Sequence, residues 1–168
     1  EFYKSDKENT YPPSKLYEIE NLLIQHNKKL QQPKIIAAEF WKVGKYKGKT
    51  ISLDHEENYR RAKLFSAMVT VIADNGYVTY IIGNHECDCV DKIDFDYDFY
   101  NFDVGKPTSS FTPISRGIGI KEFEHGVIAY NITNREKTIS LPHGDFVFPI
   151  KSGSFCRYVA NGKFDCQK

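Results

Sequence analysis

The sequence lacks the features that point most directly to a partner. Its 168 residues carry 23 Lys and Arg against 22 Asp and Glu, so no excess charge favours nucleic acid or an anionic membrane surface. No window approaches the roughly 18 consecutive apolar residues of a membrane span, and the start lacks the basic-then-apolar layout of a signal peptide. We therefore expect no nucleic-acid partner and no membrane span.

Motifs for three common chemistries are missing as well. Gly48-Lys49-Thr50 resembles the end of a phosphate-binding loop, but Gly44 is one residue too close for the Gly-x-x-x-x-Gly-Lys spacing. No Gly-x-Ser-x-Gly elbow supports Ser-His-Asp catalysis. The segment His85-Glu-Cys-Asp-Cys-Val-Asp91 alternates possible metal ligands, yet zinc sites usually show C-x₂₋₄-C spacing and a second ligand pair. The sequence therefore predicts no cofactor and no metal site.

Cysteine is sparse but even in number, at Cys87, Cys89, Cys156 and Cys166. An even count fits two disulfides in an oxidising compartment, although four cysteines allow three connectivities. Cys156 and Cys166 flank the last predicted turn and could be cross-strand partners, with Cys87 and Cys89 bridging elsewhere. Asn131-Ile-Thr133 is an acceptor sequon for a glycan on Asn131. Together these features favour a secreted, lumenal or extracellular protein.

One short run organises the first part of the chain. Pro33-Lys-Ile-Ile-Ala-Ala-Glu39-Phe-Trp41 is apolar and largely β-branched, and its length fits a strand buried on both faces. Helical patterns cover about 14–31 before it and about 54–73 after it, and a second β-branched run covers 76–82. The order of strand, loop, helix and strand over residues 34–82 therefore predicts one βαβ unit with parallel strands. Glu39 would end the first of these strands.

The rest of the chain shows a different pattern of residues. Asp94-Phe-Asp-Tyr-Asp-Phe-Tyr100 interleaves acids with aromatic rings, which suits sugar hydroxyls and ring faces but is also typical of an ordinary acidic loop. From Gly117 onward short alternating segments predict antiparallel strands, beginning with a hairpin of Ile118–Phe123 and Val127–Asn131. The predicted division is a tail or linker over 1–13, an α/β segment over 14–112 and an antiparallel β module over 113–168.

Several motifs resemble a group of hypothetical glycosyl hydrolases. Tyr100-Asn-Phe-Asp-Val-Gly-Lys-Pro107 is similar to their D-L-G-x-P element, and Thr138-Ile-Ser-Leu-Pro142 to their V-x-L strand. Arg116-Gly-Ile-Gly-Ile-Lys-Glu-Phe-Glu-His-Gly-Val-Ile-Ala-Tyr-Asn-Ile-Thr133 is similar to their R-E-F-x-x-G-x-V-x-V-N-P-T hairpin. Upstream, Arg60 to Ala67 resembles an R-R-A-K helix and Asn75 to Tyr80 a D-G-Y-x-x-Y strand.

The resemblance covers about residues 33–142 and implies a fold class of α/β followed by all-β. Residues 14–112 would be the C-terminal βα units of a TIM-like barrel, followed by a small antiparallel β module. An upstream segment or a second chain would complete the barrel, and a start at Glu1-Phe2 without Met suggests a fragment or processed chain. The sequence departs from the pattern at Ile132, where those proteins have Pro, and in the cysteine-rich insert 85–91.

The predicted function is that of a carbohydrate-active protein that hydrolyses or binds polysaccharide. Glycosidases place two carboxyls about 5–5.5 Å apart to retain configuration or about 6.5–9.5 Å apart to invert it. Glu39 is the best catalytic candidate, and its partner carboxyl is either Glu86 or absent from this fragment. The predicted sugar-binding residues are Trp41, Tyr80, Asn84 and His85.

Two alternatives from other classes stay open. One is a non-catalytic structural or adhesive extracellular protein that retains the fold. The other is a small standalone α+β domain with a disulfide-stabilised binding surface. At the level of single residues, Glu39 could instead pair with a lysine of the loop predicted after Trp41.

Overall fold

The computed structural model describes residues 13–46, 49–50, 55–84, 89–93, 97–160 and 162–167, and strands account for 42% of the structure, so the chain is mostly β. Its helices are α1 (Pro13–Lys29) and α2 (His55–Ile72), with a short 3₁₀ turn at Asp98–Asn101. Its strands are β1 (Ile35–Tyr46), β2 (Lys49–Thr50), β3 (Asn75–Asn84), β4 (Cys89–Ile93), β5 (Thr112–Ser115), β6 (Ile118–Phe123), β7 (Gly126–Asn131), β8 (Lys137–Leu141), β9 (Gly144–Phe148), β10 (Ser152–Val159) and β11 (Lys163–Cys166).

A four-stranded sheet contains the predicted βαβ unit. Its strand order is β2-β1-β3-β4, and β1 runs parallel to β3 with Ile35 opposite Asn75 and Phe40 opposite Tyr80. Because α2 lies between these two strands in the chain, the predicted strand-helix-strand unit with parallel strands is confirmed. The flanking strands β2 and β4 both pair antiparallel to their neighbours.

The predicted antiparallel β module is also present. A five-stranded sheet has the order β11-β10-β7-β6-β5, and the predicted hairpin forms its centre with Ile118 opposite Asn131 and Phe123 opposite Gly126. Strands β8 and β9 form a separate two-stranded hairpin. Phe146 and Phe148 of that hairpin are buried with Ile118 and Val127 of the larger sheet, so the hairpin covers one of its faces.

Helix α2 lies between the two larger sheets. On one side Phe65 stacks on Phe40 of β1, with 4.0 Å between the ring centroids. On the other side the backbone of α2 approaches β10 so closely that a Cβ on Gly153 would lie 2.3 Å from the carbonyl oxygen of Lys63. Residues 62–69 and 71–73 are all buried, which explains why the helix carries apolar residues on every side.

The predicted fold class, α/β with a TIM-like barrel followed by all-β, is wrong, because the described residues are mostly β with two helices. Among the described residues β1 and β3 form the one parallel pair, and the βα repeat of a barrel is not seen. Strand β4 pairs antiparallel with β3 and so ends the parallel run. A barrel helix covers the barrel with one face and turns the other outward, whereas α2 is covered by a sheet on both sides. The upstream segment or second chain expected to complete a barrel has no support.

Two buried ionic groups attach the helices to the five-stranded sheet. Glu20 of α1 accepts hydrogen bonds from the Tyr130 hydroxyl at 2.7 Å and from the Gly117 amide at 3.1 Å. Burial raises the pKa of Glu20, although these hydrogen bonds act in the opposite direction. Lys121 of β6 donates from Nζ to the carbonyls of Thr70 and Ala73 and thereby caps the end of α2.

The main core spans the division predicted from the sequence. It combines Leu23 of α1, Phe40 of β1, Phe65 of α2 and Phe155 of β10. The predicted α/β segment and β module therefore share one set of buried side chains, and the predicted boundary near residue 112 stays a prediction. In the part of the chain that the structure describes, no helix combines the length and the apolar character needed to cross a membrane.

Candidate functional site

The four-stranded sheet leaves one face uncovered by α2. Along β1, Ile36 and Phe40 are buried on the helix side, while the alternate residues are exposed. The parallel register places three residues of β3 on the same face, since paired residues share a face. We call this surface the open face, and its described side chains are Ile35, Ala37, Glu39, Asn75, Tyr77 and Thr79.

Tyr77 and Glu39 dominate the open face. Tyr77 is 64% exposed and lies opposite Ala37, while the exposed Glu39 lies opposite the half-buried Thr79. Neighbouring strands are about 4.8 Å apart and each residue adds about 3.3 Å, so the Cα atoms of Tyr77 and Glu39 are about 8 Å apart. An aromatic ring and a carboxylate therefore project side by side from one flat surface.

The neighbouring side chains extend this surface in two ways. Ile35 is 53% exposed and, with Ala37, adds an apolar strip along β1. Asn75 is exposed and donates from Nδ2 to the Lys34 carbonyl at 2.9 Å, which leaves Oδ1 as the acceptor of its side-chain amide. Lys34 in turn lies 3.5 Å from Asp74, which neutralises charge at the edge of the open face. The face thus offers a ring, apolar contact and hydrogen-bond acceptors together.

The expected position of Glu39 at the end of its strand is wrong. Glu39 is the fifth residue of a strand that continues through Val43 to Tyr46, because β1 stays paired with β3 beyond Trp41. The residues after Trp41 were predicted as a basic loop, since Gly and Lys are poor strand formers. Glu39 is exposed in the middle of a sheet face, and its catalytic role stays a prediction.

The structure describes the other predicted site residues only through their backbones or not at all. The backbones of Trp41 and Tyr80 belong to β1 and β3, where they pair with Ile81 and Phe40 respectively. Asn84 ends β3 and pairs with Lys45. His85 and Glu86, the predicted sugar ligand and second carboxyl, lie outside the described residues, so no carboxyl-to-carboxyl distance can be assigned.

One predicted disulfide is confirmed. Cys156 and Cys166 are bonded and lie directly opposite each other in the antiparallel pair of β10 and β11. Cys87 lies outside the described residues, and Cys89 is described only as the first residue of β4. A bridge between Cys87 and Cys89 therefore stays a prediction.

The sequon residue Asn131 is buried, with 1% of its surface exposed. Its Nδ2 donates to the carbonyls of Arg135 at 2.9 Å and Phe148 at 3.1 Å, and its Oδ1 accepts from the amide of Thr133. These hydrogen bonds hold the turn after β7 together. The glycan on Asn131 stays a prediction.

A polar recess lies at the end of α2. It encloses about 350 Å³ and is lined by Asp74, Lys121 and residues 107–110. Burial lowers the pKa of Lys121 to about 8, but both of its described hydrogen bonds go to backbone carbonyls at the end of α2, those of Thr70 and Ala73. We therefore assign Lys121 a structural role. Among the described side chains, no group of three His, Cys, Asp or Glu could hold a metal ion.

Sequence reasoning missed Tyr77 and Thr79. The alternation in Gly76-Tyr-Val-Thr-Tyr80 contained the signal, because Val78 pairs with Ala38 on the helix side and its neighbours Tyr77 and Thr79 must then face the other way. Neither a known protein family nor a curated protein matches this chain. The site must therefore be interpreted from its own chemistry.

Proposed function

We propose that this chain is an extracellular carbohydrate-binding protein that holds polysaccharide on the open face of its four-stranded sheet. The observation that supports the proposal is the pair of exposed side chains Tyr77 and Glu39 on one flat surface. Water can reach both groups, and the ring costs free energy when it remains exposed. A ligand with an apolar face and hydroxyl groups around its edge matches both.

A pyranose ring has this character. The C–H bonds on its flat face pack against an aromatic ring, and its hydroxyls donate hydrogen bonds to acceptors at the edge. Tyr77 supplies the ring with few rotatable bonds to immobilise. Glu39 supplies a carboxylate, which as an ion only accepts hydrogen bonds, and charge-assisted bonds of this kind are stronger than neutral ones.

The proposal is limited to binding. Hydrolysis of a glycosidic bond needs two carboxyls at a defined separation, and Glu39 is the one carboxylate among the described side chains of the open face. An exposed carboxylate on a flat surface also lies in water, whereas a catalytic acid is usually kept protonated by an apolar surrounding. The extracellular location in this proposal is supported by the Cys156–Cys166 disulfide, which persists in oxidising compartments.

Affinity electrophoresis and calorimetry with a panel of soluble β-glucans, mannans, xylans and chitosan oligomers test the proposal. We expect at least one polysaccharide to bind, Tyr77→Ala to weaken it about 10-fold and Glu39→Gln about 3-fold to 10-fold. The matched controls are Val147→Ala, which truncates another exposed apolar residue, and Glu136→Gln, which removes another exposed carboxylate. Equal effects of test and control variants, or no binding to any polymer, would refute the proposal.

One observation favours a second candidate, the adhesive protein without catalysis. Parallel strands are usually buried on both faces, yet Ile35, Ala37 and Tyr77 are exposed here. Such an apolar strip fits the surface of another protein. Adhesion of the chain to protein-coated and polysaccharide-coated surfaces separates the two: Ile35→Glu should abolish adhesion to protein, whereas Glu39→Gln should mainly reduce adhesion to polysaccharide.

A further inference from the structure

A separate cavity lies on the helix side of the same sheet, between α2, β3, the 3₁₀ turn and the five-stranded sheet. Its volume is about 210 Å³. Four aromatic residues dominate its wall, together with two hydroxyl-bearing residues of α2, and Tyr100 carries a third hydroxyl; the residues are Phe99, Tyr100, Phe102, Phe155, Ser66 and Thr70. Since β1 and β3 separate it from the open face, the cavity is distinct from the carbohydrate surface proposed above.

Ser66 gives this cavity its polar character. The residue is 5% exposed, and among the described residues its Oγ has no hydrogen-bond partner. A serine inside a helix commonly returns its hydrogen bond to the carbonyl four residues earlier, but Ser66 does not. Thr70 follows one turn later on the same face of α2 and also lines the cavity. The Oγ is also shielded from solvent, so a ligand reaches it only after the Ser66 side chain turns about χ1 towards the cavity. A buried hydroxyl without a partner favours that change when a ligand can supply one.

The aromatic wall is held in place before any ligand arrives. The ring of Phe99 lies 4.6 Å from that of Tyr100 and 5.3 Å from that of Phe155, measured between centroids. The guanidinium of Arg157 covers Phe102 at 4.6 Å, and its Nε donates to the Asp103 carbonyl at 3.0 Å. The half-buried Tyr100 and Phe102 form the outer rim, while Phe99 and Phe155 form the floor.

Size and chemistry then restrict the ligand. An apolar protein cavity of about 150 Å³ is large enough for benzene, so 210 Å³ accommodates one six-membered aromatic ring with a small substituent. A hexose carries hydroxyls around its whole ring, and the few hydroxyls on this wall could not satisfy them. An aromatic ligand with a single hydroxyl matches both the rings and Ser66.

We propose that this cavity binds a small phenolic molecule, whose ring packs among Phe99, Phe102 and Phe155 and whose hydroxyl hydrogen-bonds to Ser66 Oγ once that side chain has turned into the cavity. Phenol itself is the probe, with benzene as the isostere that lacks the hydroxyl and glucose as the polyhydroxylated comparison. Titrations of the ¹⁵N-labelled chain should show saturable shifts with phenol that centre on residues around Ser66 and Phe99. Benzene should bind about 3-fold to 10-fold more weakly, and glucose should cause no shift at these residues.

Two variants separate the hydrogen bond from the cavity. Ser66→Ala should bring the affinity for phenol down to that for benzene without lowering thermal stability, because it removes an unpaired buried hydroxyl. Val78→Phe adds volume at the wall and should abolish binding of both ligands. The matched control is Ser154→Ala: Ser154 is also buried, but it faces the hairpin side of β10 beside Ala129, so phenol affinity should not change.

Three results would overturn the proposal. They are the absence of saturable phenol binding, equal affinities of the unaltered chain for phenol and benzene, and phenol binding that survives both Ser66→Ala and Val78→Phe. Retention of polysaccharide binding by Ser66→Ala and Val78→Phe, together with loss of phenol binding, would support two independent sites.

Discussion

Replacing Gly153 by alanine should destabilise the fold substantially, because α2 leaves no room for a side chain at this position of β10. An added Cβ would lie 2.3 Å from the carbonyl oxygen of Lys63, 2.7 Å from its carbonyl carbon and 2.8 Å from the Cβ of Ala67. The first two atoms are backbone in the middle of a helix and cannot rotate away. Relief therefore requires the helix and the strand to separate.

The size of the expected loss in unfolding free energy follows from the packing on both sides of α2. Its opposite side is held against the four-stranded sheet by the stacked rings of Phe40 and Phe65, so a shift away from β10 compresses that packing. Overpacking of this kind costs about 1–3 kcal/mol, and backbone atoms place it at the upper end. The substitution also lowers the conformational entropy of the unfolded chain, and this stabilises the folded state by about 0.5 kcal/mol. We expect a net loss of about 2–3 kcal/mol, or about 5–10 °C in Tm.

Urea unfolding followed by circular dichroism measures this loss. The control is Gly162→Ala, where the nearest heavy atom to an added Cβ is 3.4 Å away and a positive φ of 68° costs about 1 kcal/mol. The reasoning fails if Gly153→Ala is no more destabilising than Gly162→Ala. Gly153→Val, which adds two further carbons, should be worse than Gly153→Ala, and an equal or smaller loss would contradict the proposed contact.

Two further predictions concern the groups that hold the layers together. The unfolded chain keeps its proton on Lys121 up to about pH 10.5 while the folded chain releases it near pH 8, so unfolding free energy should rise by about 2 kcal/mol between these values. Urea unfolding across this range should show no such rise in Lys121→Met, and equal pH slopes would refute the assignment. Replacing Cys156 and Cys166 by alanine should cost about 2–3 kcal/mol, because their bond closes a loop of 10 residues. Reduction of the unaltered chain should cost the same in urea unfolding, and an unchanged midpoint would contradict this.

Elements with strong local patterns were predictable from the sequence. The predicted helices over 14–31 and 54–73 correspond to Pro13–Lys29 and His55–Ile72. The hairpin after Gly117 and the pairing of Cys156 with Cys166 were also correct, because a tight turn brings sequence neighbours together. In each of these cases the residues that decide the structure lie within a few positions of one another.

Elements that depend on a distant strand were not predictable in this way. Lys42 and Lys45 belong to β1 despite poor strand propensity, because they pair with Ile82 and Asn84 of β3, and Gly44 between them lies at a shift in the register. Strand β4 likewise pairs with β3 in a stretch where the sequence shows no alternating apolar pattern. The barrel prediction failed for a related reason: one βαβ unit occurs in many folds, and nothing local to it specifies what covers the other side of α2.

The sequence alone determined the periods of its elements, and with them the parallel unit, the antiparallel module and the presence of one carboxylate, Glu39, on an apolar strand. Only the tertiary structure decided that Tyr77 shares a face with Glu39, and that Ser66 and Phe155 line one cavity. The physical reason is that alternation and helical spacing are properties of adjacent residues. Shared faces and cavities arise from pairing and packing between segments far apart in the chain.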